Sequence, residues 1–319
     1  VSEGQDMELA FYADPLEKFV IKKDSTFALM KEAVERGHRI SAFCQHDLVL
    51  NGQNVHARVN GIELTGTEDH RWFDVRETED RALETFDAVI VRKDPPFDVE
   101  YLNSTYLLEL SEKKGARIFN RPDALRSHNE KLTIAQFPEF MAPTLVTADQ
   151  EQLRSFHAEY RDIILKPLNA MGGNGVFRIG EDGLNLGAAI ETLTASGRKA
   201  VMAQRYIPDI VEGDKRVLLI NGQVVPFALA RIPQKGEVRG NLAAGGTGRA
   251  QLLSERDRQI AETLAPVLAD RGLFLVGLDI IGNWLTEVNV TSPTCFREIA
   301  QQTGFNVAGL FMDELEKTV

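Results

Sequence analysis

The spacing of apolar residues changes character near residue 127, and that change limits the folds open to the chain. Before it, strand and helix patterns alternate. Glu8–Ala13 alternates and runs into Asp14-Pro15, a strand followed by a turn. A helix is predicted over Asp24–Arg36, with Phe27, Met30 and Val34 on one face, Asp24 or Ser25 as cap, and Gly37 as stop. Arg39–Phe43 reads as the next strand. This β-α-β order predicts a parallel sheet flanked by helices. Phe86–Val91 (FDAVIV) reads as a buried strand feeding Arg92-Lys93-Asp94-Pro95-Pro96-Phe97. That stiff turn follows a strand's carboxyl end, where ligands bind in open α/β sheets. Thr105–Lys114 is predicted helical, Gly115 stops it, Arg117–Asn120 is a short strand, and the domain closes near Ser127. Residues 51–80 are polar, weakly periodic and unassigned.

After the change, hairpins dominate. Glu130–Phe137 reads as a short helix. The strand Asp162–Lys166 meets Pro167, and a turn over residues 170–175 returns into Val176–Ile179, a hairpin with a glycine-rich tip. Leu184–Ser196 is predicted helical. Val201–Tyr206 and Arg216–Ile220 are predicted strands, the second turning at Asn221-Gly222. Residues 232–250 form a loop carrying Gly236, Gly240, Gly245, Gly246 and Gly248. Arg256–Asp270 is an amphipathic helix, Phe274–Ile281 and Leu285–Val290 form a last hairpin, and a helix begins near Val307. There is no internal repeat.

At 319 residues the chain has material for two or three compact units, and its 43% hydrophobic and 26% charged residues are those of a globular protein. The 36 Lys and Arg against 47 Asp and Glu give a net charge of −11, so no global field attracts nucleic acid. Two cysteines, Cys44 and Cys295, supply neither a disulfide framework nor an all-cysteine zinc site. Cys295 reads as a small buried residue rather than a nucleophile, with no histidine near it in sequence. No apolar run is long enough to span a membrane. Val1–Asp6 lacks a signal-peptide core and is expected to be a disordered tail before a natural start at Met7. The expectation is a soluble, reduced, cytoplasmic protein. Phosphate-loop, dinucleotide-fold, kinase, serine-hydrolase and zinc-protease motifs are all missing.

Three constellations carry chemistry. In Leu278–Asn289, Asp279, Glu287 and Asn289 interrupt an apolar hairpin. Glu287 and Asn289 share a face; Asp279 joins it only if the connection has an odd count, such as Gly282-Asn283-Trp284. A two-residue Gly282-Asn283 turn would pair Asp279 with Thr286 instead. Two carboxylates and an amide oxygen suit a hard cation completed by phosphate oxygens and water, while a solvated edge hairpin is the plain alternative. Lys131 and Lys166 form the second, with the glycine turn after Lys166 able to bring backbone N–H groups to phosphate; a simple hairpin tip with surface lysines is the alternative. The third is the glycine-rich stretch with Arg231, Lys235, Arg239 and Arg249, a cationic lid or a disordered surface loop. Asp214-Lys215-Arg216 reads as a solvated charge run, Gln204 and Tyr206 as one face of a strand, and Ser292-Pro293-Thr294 as a turn.

The order of these pieces resembles an ATP-grasp ligase, and the local wording is similar to the bacterial glutathione synthetases. The matching stretches are Ile21-Lys22-Lys23-Asp24-Ser25, Arg92–Asp98, Asn129–Leu132, Ile164–Leu168, Gly213–Val217, Ala230–Gln234, Arg239–Gly246 and Val276–Glu298. The resemblance runs from about Met7 to the end. It implies an α/β chain with an N-terminal Rossmann-like parallel-sheet domain (7–127) and a two-part ATP-grasp α+β region. A lid subdomain would cover 128–203, and a C-terminal subdomain 204–319 would carry the flexible loop 232–250. Residue by residue, it implies that Lys131 and Lys166 contact ATP phosphates and that Gly172-Gly173 covers them. The edge Gln204–Ile207, with Tyr206, would hold adenine, and Asp214 the ribose. Asp279, Glu287 and Asn289 would bind magnesium, with manganese an alternative. Arg216, Arg231 and Arg239 would face the reacting groups; Ser292, Thr294, Asp94 and Lys22 would touch substrate. Here Asn169-Ala170 and Asn174-Gly175 vary the family's longer glycine-rich turn. The implied reaction joins γ-glutamylcysteine and glycine with ATP, in a homotetramer without nucleic-acid or membrane partners. Another ATP-grasp ligase, a nucleotide sensor and a plain Rossmann oxidoreductase are the rival readings.

Overall fold

The structure, a computed structural model, describes residues 6–66, 71–237, 239, 240, 242 and 245–319. The expected tail therefore lies outside the described residues except for Asp6, and Val238, Asn241, Ala243 and Ala244 of the glycine-rich loop lie outside them as well.

The first region contains β1 (Glu8–Tyr12), α1 (Ser25–Glu35), β2 (Arg39–Phe43), β3 (Leu48–Asn51), β4 (Asn54–Leu64), β5 (Phe73–Ala82), β6 (Ala88–Val91), α2 (Val99–Glu112), β7 (Ile118–Phe119) and α3 (Pro122–Ser127). Strands β2, β1, β6 and β7 lie side by side and parallel, the arrangement the alternating pattern predicts. Asp24 caps α1, its Oδ1 accepting from Phe27 N at 2.8 Å. Ala33 is buried there, whereas Val34 is 39% exposed, so the helix face is rotated from the expected one. α2 starts at Val99, earlier than Thr105, because Asp98 caps it. The unassigned residues 51–80 supply β4 and most of β5, an antiparallel extension of the sheet. Among the described residues β5 pairs only with β4, and it is largely exposed, so it carries no apolar alternation to read.

The second region contains β8 (Thr144–Thr147), α4 (Gln150–Tyr160), β9 (Ile163–Pro167), β10 (Phe177–Ile179), α5 (Leu186–Leu193) and β11 (Val201–Arg205). Its four antiparallel strands run β10-β9-β11-β8 over a separate small core including Leu153, Phe156, Leu165 and Ile190. The third contains β12 (Asp214–Ile220), β13 (Gln223–Ile232), β14 (Thr247–Leu252), α6 (Glu255–Asp270), β15 (Leu275–Ile281), β16 (Trp284–Asn289), α7 (Phe296–Thr303) and α8 (Val307–Thr318). Its five antiparallel strands run β14-β13-β12-β15-β16.

The expected boundaries shift. A break between 203 and 204 cuts β11, which belongs wholly to the four-stranded sheet. Residues 128–143 dock on the five-stranded region instead of joining the lid: Val288 N donates to Glu130 O at 2.8 Å, and Met141 bridges Leu285. The loop expected over 232–250 is shorter, because β13 reaches Ile232 and β14 begins at Thr247. The first and third regions share a core in which Phe27, Phe296 and Phe311 are buried together. Asn120, 3% exposed, clamps the two: its Nδ2 donates to Leu275 O and Val290 O, and its Oδ1 accepts from Leu275 N. Among the described residues no helix is long and apolar enough to cross a membrane.

Candidate active site

A cleft of about 830 Å³ opens between the four-stranded and five-stranded sheets. The expected phosphate groups meet there. Lys131 and Lys166 are both 5% exposed, and their Nζ atoms stand 3.6 and 3.9 Å from the same Glu287 Oε1. Each lysine also has neutral partners. Lys131 donates to Ala170 O at 2.6 Å, and Lys166 to Thr286 O at 3.3 Å and Gln204 Oε1 at 3.5 Å. Burial holds the Lys166 ammonium below the usual lysine range, although Glu287 works to raise it. Gly172 and Gly173, at φ of +63° and +78°, turn the chain between β9 and β10 along the cleft wall.

The expected adenine edge also lines the cleft. Gln204 is fixed on β11 by donating to Thr144 Oγ1 at 3.0 Å. Tyr206 N already donates to Asp162 O, and Arg178 lies over the Tyr206 ring at 3.7 Å. The Ile207 N–H has no partner among the described residues, which leaves it free for an acceptor on a ligand.

The hairpin resolves its two possible registers in a third way. The turn is the two-residue Gly282-Asn283, with Ile281 opposite Trp284 and Ile280 opposite Leu285. The register then shifts, and Asp279 faces Glu287 with Thr286 as the extra residue. Thr286 Oγ1 donates to Asp279 O at 3.1 Å across this bulge. Thus Asp279 and Glu287 share a face despite the short turn. Asn289 follows on that face opposite Gly277 and donates Nδ2 to Gly277 O at 3.1 Å, but it does not line the cleft.

Asp279 is also the centre of a buried ion network. Arg216 Nε reaches its Oδ1 at 2.6 Å, and Arg231 Nη2 its Oδ2 at 2.9 Å. Arg231 Nη2 contacts Asp214 Oδ2 at 2.6 Å too. Burial acts to raise the Asp279 carboxyl, but the two guanidiniums outweigh it and hold the group well below the usual range. Burial pushes Asp214 up to about 7 against the pull of Arg231, with Asp279 and Glu287 adding to the rise. The charge run Asp214-Lys215-Arg216 is therefore a strand, not a solvated turn, with Arg216 buried, Asp214 and Lys215 partly so, and Lys215 paired with the buried Asp257. Arg216 and Arg231 stand behind the cleft wall; Arg239 lines it and is held by Glu237 at 3.0 Å.

Among the described residues, no three His, Cys, Asp or Glu side chains form a metal centre. The donor set on the hairpin is two carboxylates and one amide. Among the described residues Glu287 meets only the two long lysine contacts, the Asn289 amide uses its nitrogen, and a carboxylate such as Asp279 has lone pairs beyond those its arginines take. This all-oxygen set fits a hard cation that arrives with phosphate oxygens to complete its shell.

The expected substrate residues divide. Asp94, Ser292 and Thr294 meet in a second cavity of about 280 Å³, walled also by Asp24, Thr26 and Arg92. Lys22 is exposed and lines neither cavity. Sequence reasoning missed Glu130, whose Oε1 accepts from Val290 N, Thr291 N and Thr291 Oγ1 at 2.9, 3.1 and 2.9 Å, fixing the chain after the hairpin. It also missed the structural partners Thr144 and Thr286, because isolated threonines carry no signal of their own.

Family models place the same architecture. Residues 7–126 match the N-terminal domain of prokaryotic glutathione synthetase, and residues 130–304 its ATP-grasp domain. The chain is 62% identical over 311 residues to a glutathione synthetase of Ralstonia nicotianae, covering 98% of this chain and 96% of that one. It is 54% identical to that of Nitrosomonas europaea, with 98% of both chains covered, and 47% to that of Vibrio parahaemolyticus, with 98% and 99% covered. Among solved structures, D-cycloserine synthetase DcsG superposes with a TM-score of 0.68 at 17% identity, over 98% of this chain and 99% of that one. The ATP-grasp ligase PsnB gives 0.61 at 19%, over 98% of both. These distant likenesses speak for the ATP-grasp fold alone. The chain belongs to the prokaryotic glutathione synthetase family.

Proposed function

We propose that the chain is an ATP-dependent ligase that joins γ-glutamylcysteine to glycine, releasing glutathione, ADP and phosphate. The observation that carries the site assignment is the convergence of Lys131 and Lys166 on Glu287 beneath the Gly172-Gly173 turn. Two buried ammonium groups beside a glycine turn suit a polyphosphate. In this reading the edge Gln204–Ile207 receives adenine. Asp214 receives the ribose, although its bond to Arg231 leaves only Oδ1, which is buried without a partner.

A free carboxylate is a poor acyl donor because its leaving group would be oxide. Transfer of the γ-phosphoryl group to the cysteinyl carboxylate gives an acyl phosphate and ADP. Lys131 and Lys166 neutralise charge that develops on the phosphoryl oxygens. Asp279, Glu287 and Asn289 would hold magnesium, or manganese, which would supply Lewis-acid neutralisation of phosphate charge. The glycine amine then attacks the acyl carbon and phosphate leaves. Arg231, the first choice, stabilises the oxyanion through its charge from behind the cleft wall, and Arg239 on the loop shields the acyl phosphate from water. Ser292, Thr294 and Asp94 bind the dipeptide; the exposed Lys22 joins them only if it swings inward.

The reading includes a homotetramer, which light scattering of the purified chain checks. It includes a cytoplasmic setting, where reducing conditions keep the substrate thiol free. The test is ADP release from ATP and magnesium with γ-glutamylcysteine, with and without glycine, beside mass detection of product. Release that needs both substrates and yields the tripeptide is expected. Release with neither, or only with other carboxylates and amines, would overturn the substrate assignment.

A further inference from the structure

Glu130 joins three parts of the site through one side chain and one carbonyl. It directly precedes Lys131, whose Nζ faces Glu287 across the cleft. Its carbonyl accepts from Val288 N at 2.8 Å, between Glu287 and Asn289. Its Oε1 accepts from Val290 N at 2.9 Å, Thr291 N at 3.1 Å and Thr291 Oγ1 at 2.9 Å. Val290 and Thr291 are buried, and they link Asn289 on the hairpin to Ser292 and Thr294 on the wall of the second cavity. The anchor is rigid at both ends. Asn129 Oδ1 accepts from Lys131 N at 3.1 Å and Leu132 N at 3.0 Å, which holds the backbone on which Glu130 stands. Val290 O accepts from Asn120 Nδ2 at 2.7 Å, so residue 290 is gripped from the first region as well. Among the described residues the Glu130 carboxylate meets no cation, and all three of its hydrogen bonds go to residues 290 and 291. A carboxylate spent on one backbone segment sets a position rather than a field.

Phosphoryl transfer needs donor and acceptor in line and about 3–3.5 Å apart, and a misplacement of about 1 Å can cost about 100-fold in rate. In the ligation proposed above, Lys131, Lys166 and the hairpin hold the donor, and the turn after the hairpin holds the accepting carboxylate. Glu130 ties the two halves by the shortest route: Lys131 is its neighbour in the chain, and Ser292 is the neighbour of Thr291. Resting on that ligation, we propose that Glu130 is a positioning residue that sets the distance between the phosphate-binding lysine and the dipeptide-binding turn. It lines neither cavity, so it acts only through these neighbours. Lys131 keeps its carbonyl partner at Ala170, and Ser292 and Thr294 keep their hydroxyls, whatever the length of the side chain at 130. Each half therefore still binds its reactant when that length changes. What is lost is their mutual placement, which counts in the transition state alone.

The test varies reach and charge separately in the full-length enzyme. Glu130→Gln keeps the reach and an acceptor oxygen; Glu130→Asp keeps the charge but is one methylene shorter. Glu130→Gln should hold kcat within about 3-fold of wild type, whereas Glu130→Asp should lower it about 10- to 100-fold, with KM for ATP and for γ-glutamylcysteine each within about 3-fold. Thr291→Val removes one of the anchoring bonds and should lower kcat about 5-fold, and it decides the matter if Glu130→Asp does not fold. The reverse order, with Glu130→Asp near wild type and Glu130→Gln disabled, would overturn the inference, because charge rather than reach would then matter. Unchanged kcat in both Glu130→Asp and Thr291→Val, even with lower melting temperatures, would overturn it by leaving Glu130 a plain structural anchor. A loss confined to KM would overturn it too, since it would put Glu130 in the binding of one reactant. Wild-type enzyme that makes no tripeptide would remove the ligation and this inference together; the other outcomes bear on the inference alone.

Discussion

Asp279→Asn and Glu287→Gln each remove one charge from facing positions of one hairpin, yet the structure gives them different consequences for the fold. Asp279 is 3% exposed, and both of its oxygens are met by guanidiniums that are themselves 6% and 4% exposed. With asparagine there, Arg216 and Arg231 keep Asp214 as the one carboxylate in their network. Breaking a buried pair by removing one partner costs about 3–5 kcal/mol; asparagine keeps one acceptor oxygen, so the lower end, about 3 kcal/mol, is the expectation. The Glu287 side chain is 25% exposed and touches its lysines only at 3.6 and 3.9 Å. Such long, partly solvated contacts are worth at most about 1 kcal/mol, and both lysines retain carbonyl partners. For a chain of this size about 1 kcal/mol moves Tm by roughly 1–2 °C, so Asp279→Asn should melt roughly 3–6 °C lower and Glu287→Gln within about 2 °C. Nucleotide-free melts at pH 7, at two scan rates to separate kinetic effects, read this directly. The sign with pH follows. The depressed Asp279 carboxyl contributes stability above the ordinary pKa of about 4 and loses it as pH falls, so the gap to Asp279→Asn should narrow in acid. Equal melting of the two variants, or a larger loss for Glu287→Gln, would refute the anchoring role of Asp279.

Asp214→Asn should show the opposite pH trend. With its folded pKa raised to about 7, Asp214 lends stability that is full below the ordinary carboxyl pKa and lost as pH rises through 7. The variant should therefore gain on wild type between pH 5 and 8, by on the order of 2 kcal/mol in urea melts, and a pH-independent difference would contradict the shift. Glu287→Gln should abolish nearly all turnover while folding normally; wild-type rates at saturating magnesium would sink its role at the metal. Arg239→Ala should lower the tripeptide made per ADP released, and an unchanged ratio would defeat the shielding role of that loop.

The alternating half of the chain was legible because parallel strands buried on both faces leave continuous apolar runs such as Ala88–Val91. The edge strand β5 was not, since its exposed residues carry no such run. α7 escaped because its cap is Cys295 at φ +87°, with no capping side chain to announce it. The run Asp214–Arg216 looks solvated in isolation. Its burial comes from Arg231 and Asp279, 17 and 63 residues further along. The bulge at Thr286 belongs to the same class: it is fixed by tertiary partners, including Lys166 from another sheet, and no local spacing encodes it. Lys131, Lys166, Asp279, Glu287 and Arg239 stood out by residue type and spacing, whereas the nucleotide roles of Gln204–Ile207 and Asp214 came only through resemblance. The second cavity, built from segments around 14–26, 92–94 and 292–294, was foreshadowed only in part: Arg92 stood out for its place after a strand and within a family-like stretch, but not for its burial.

The central claim is that the cysteinyl carboxylate is activated by phosphorylation in this cleft. It is tested most directly with γ-glutamylcysteine carrying heavy oxygen in that carboxylate, followed by mass analysis of the phosphate released during glutathione formation. Phosphate bearing one labelled oxygen per tripeptide is the predicted result. Tripeptide formed alongside unlabelled phosphate would contradict the account.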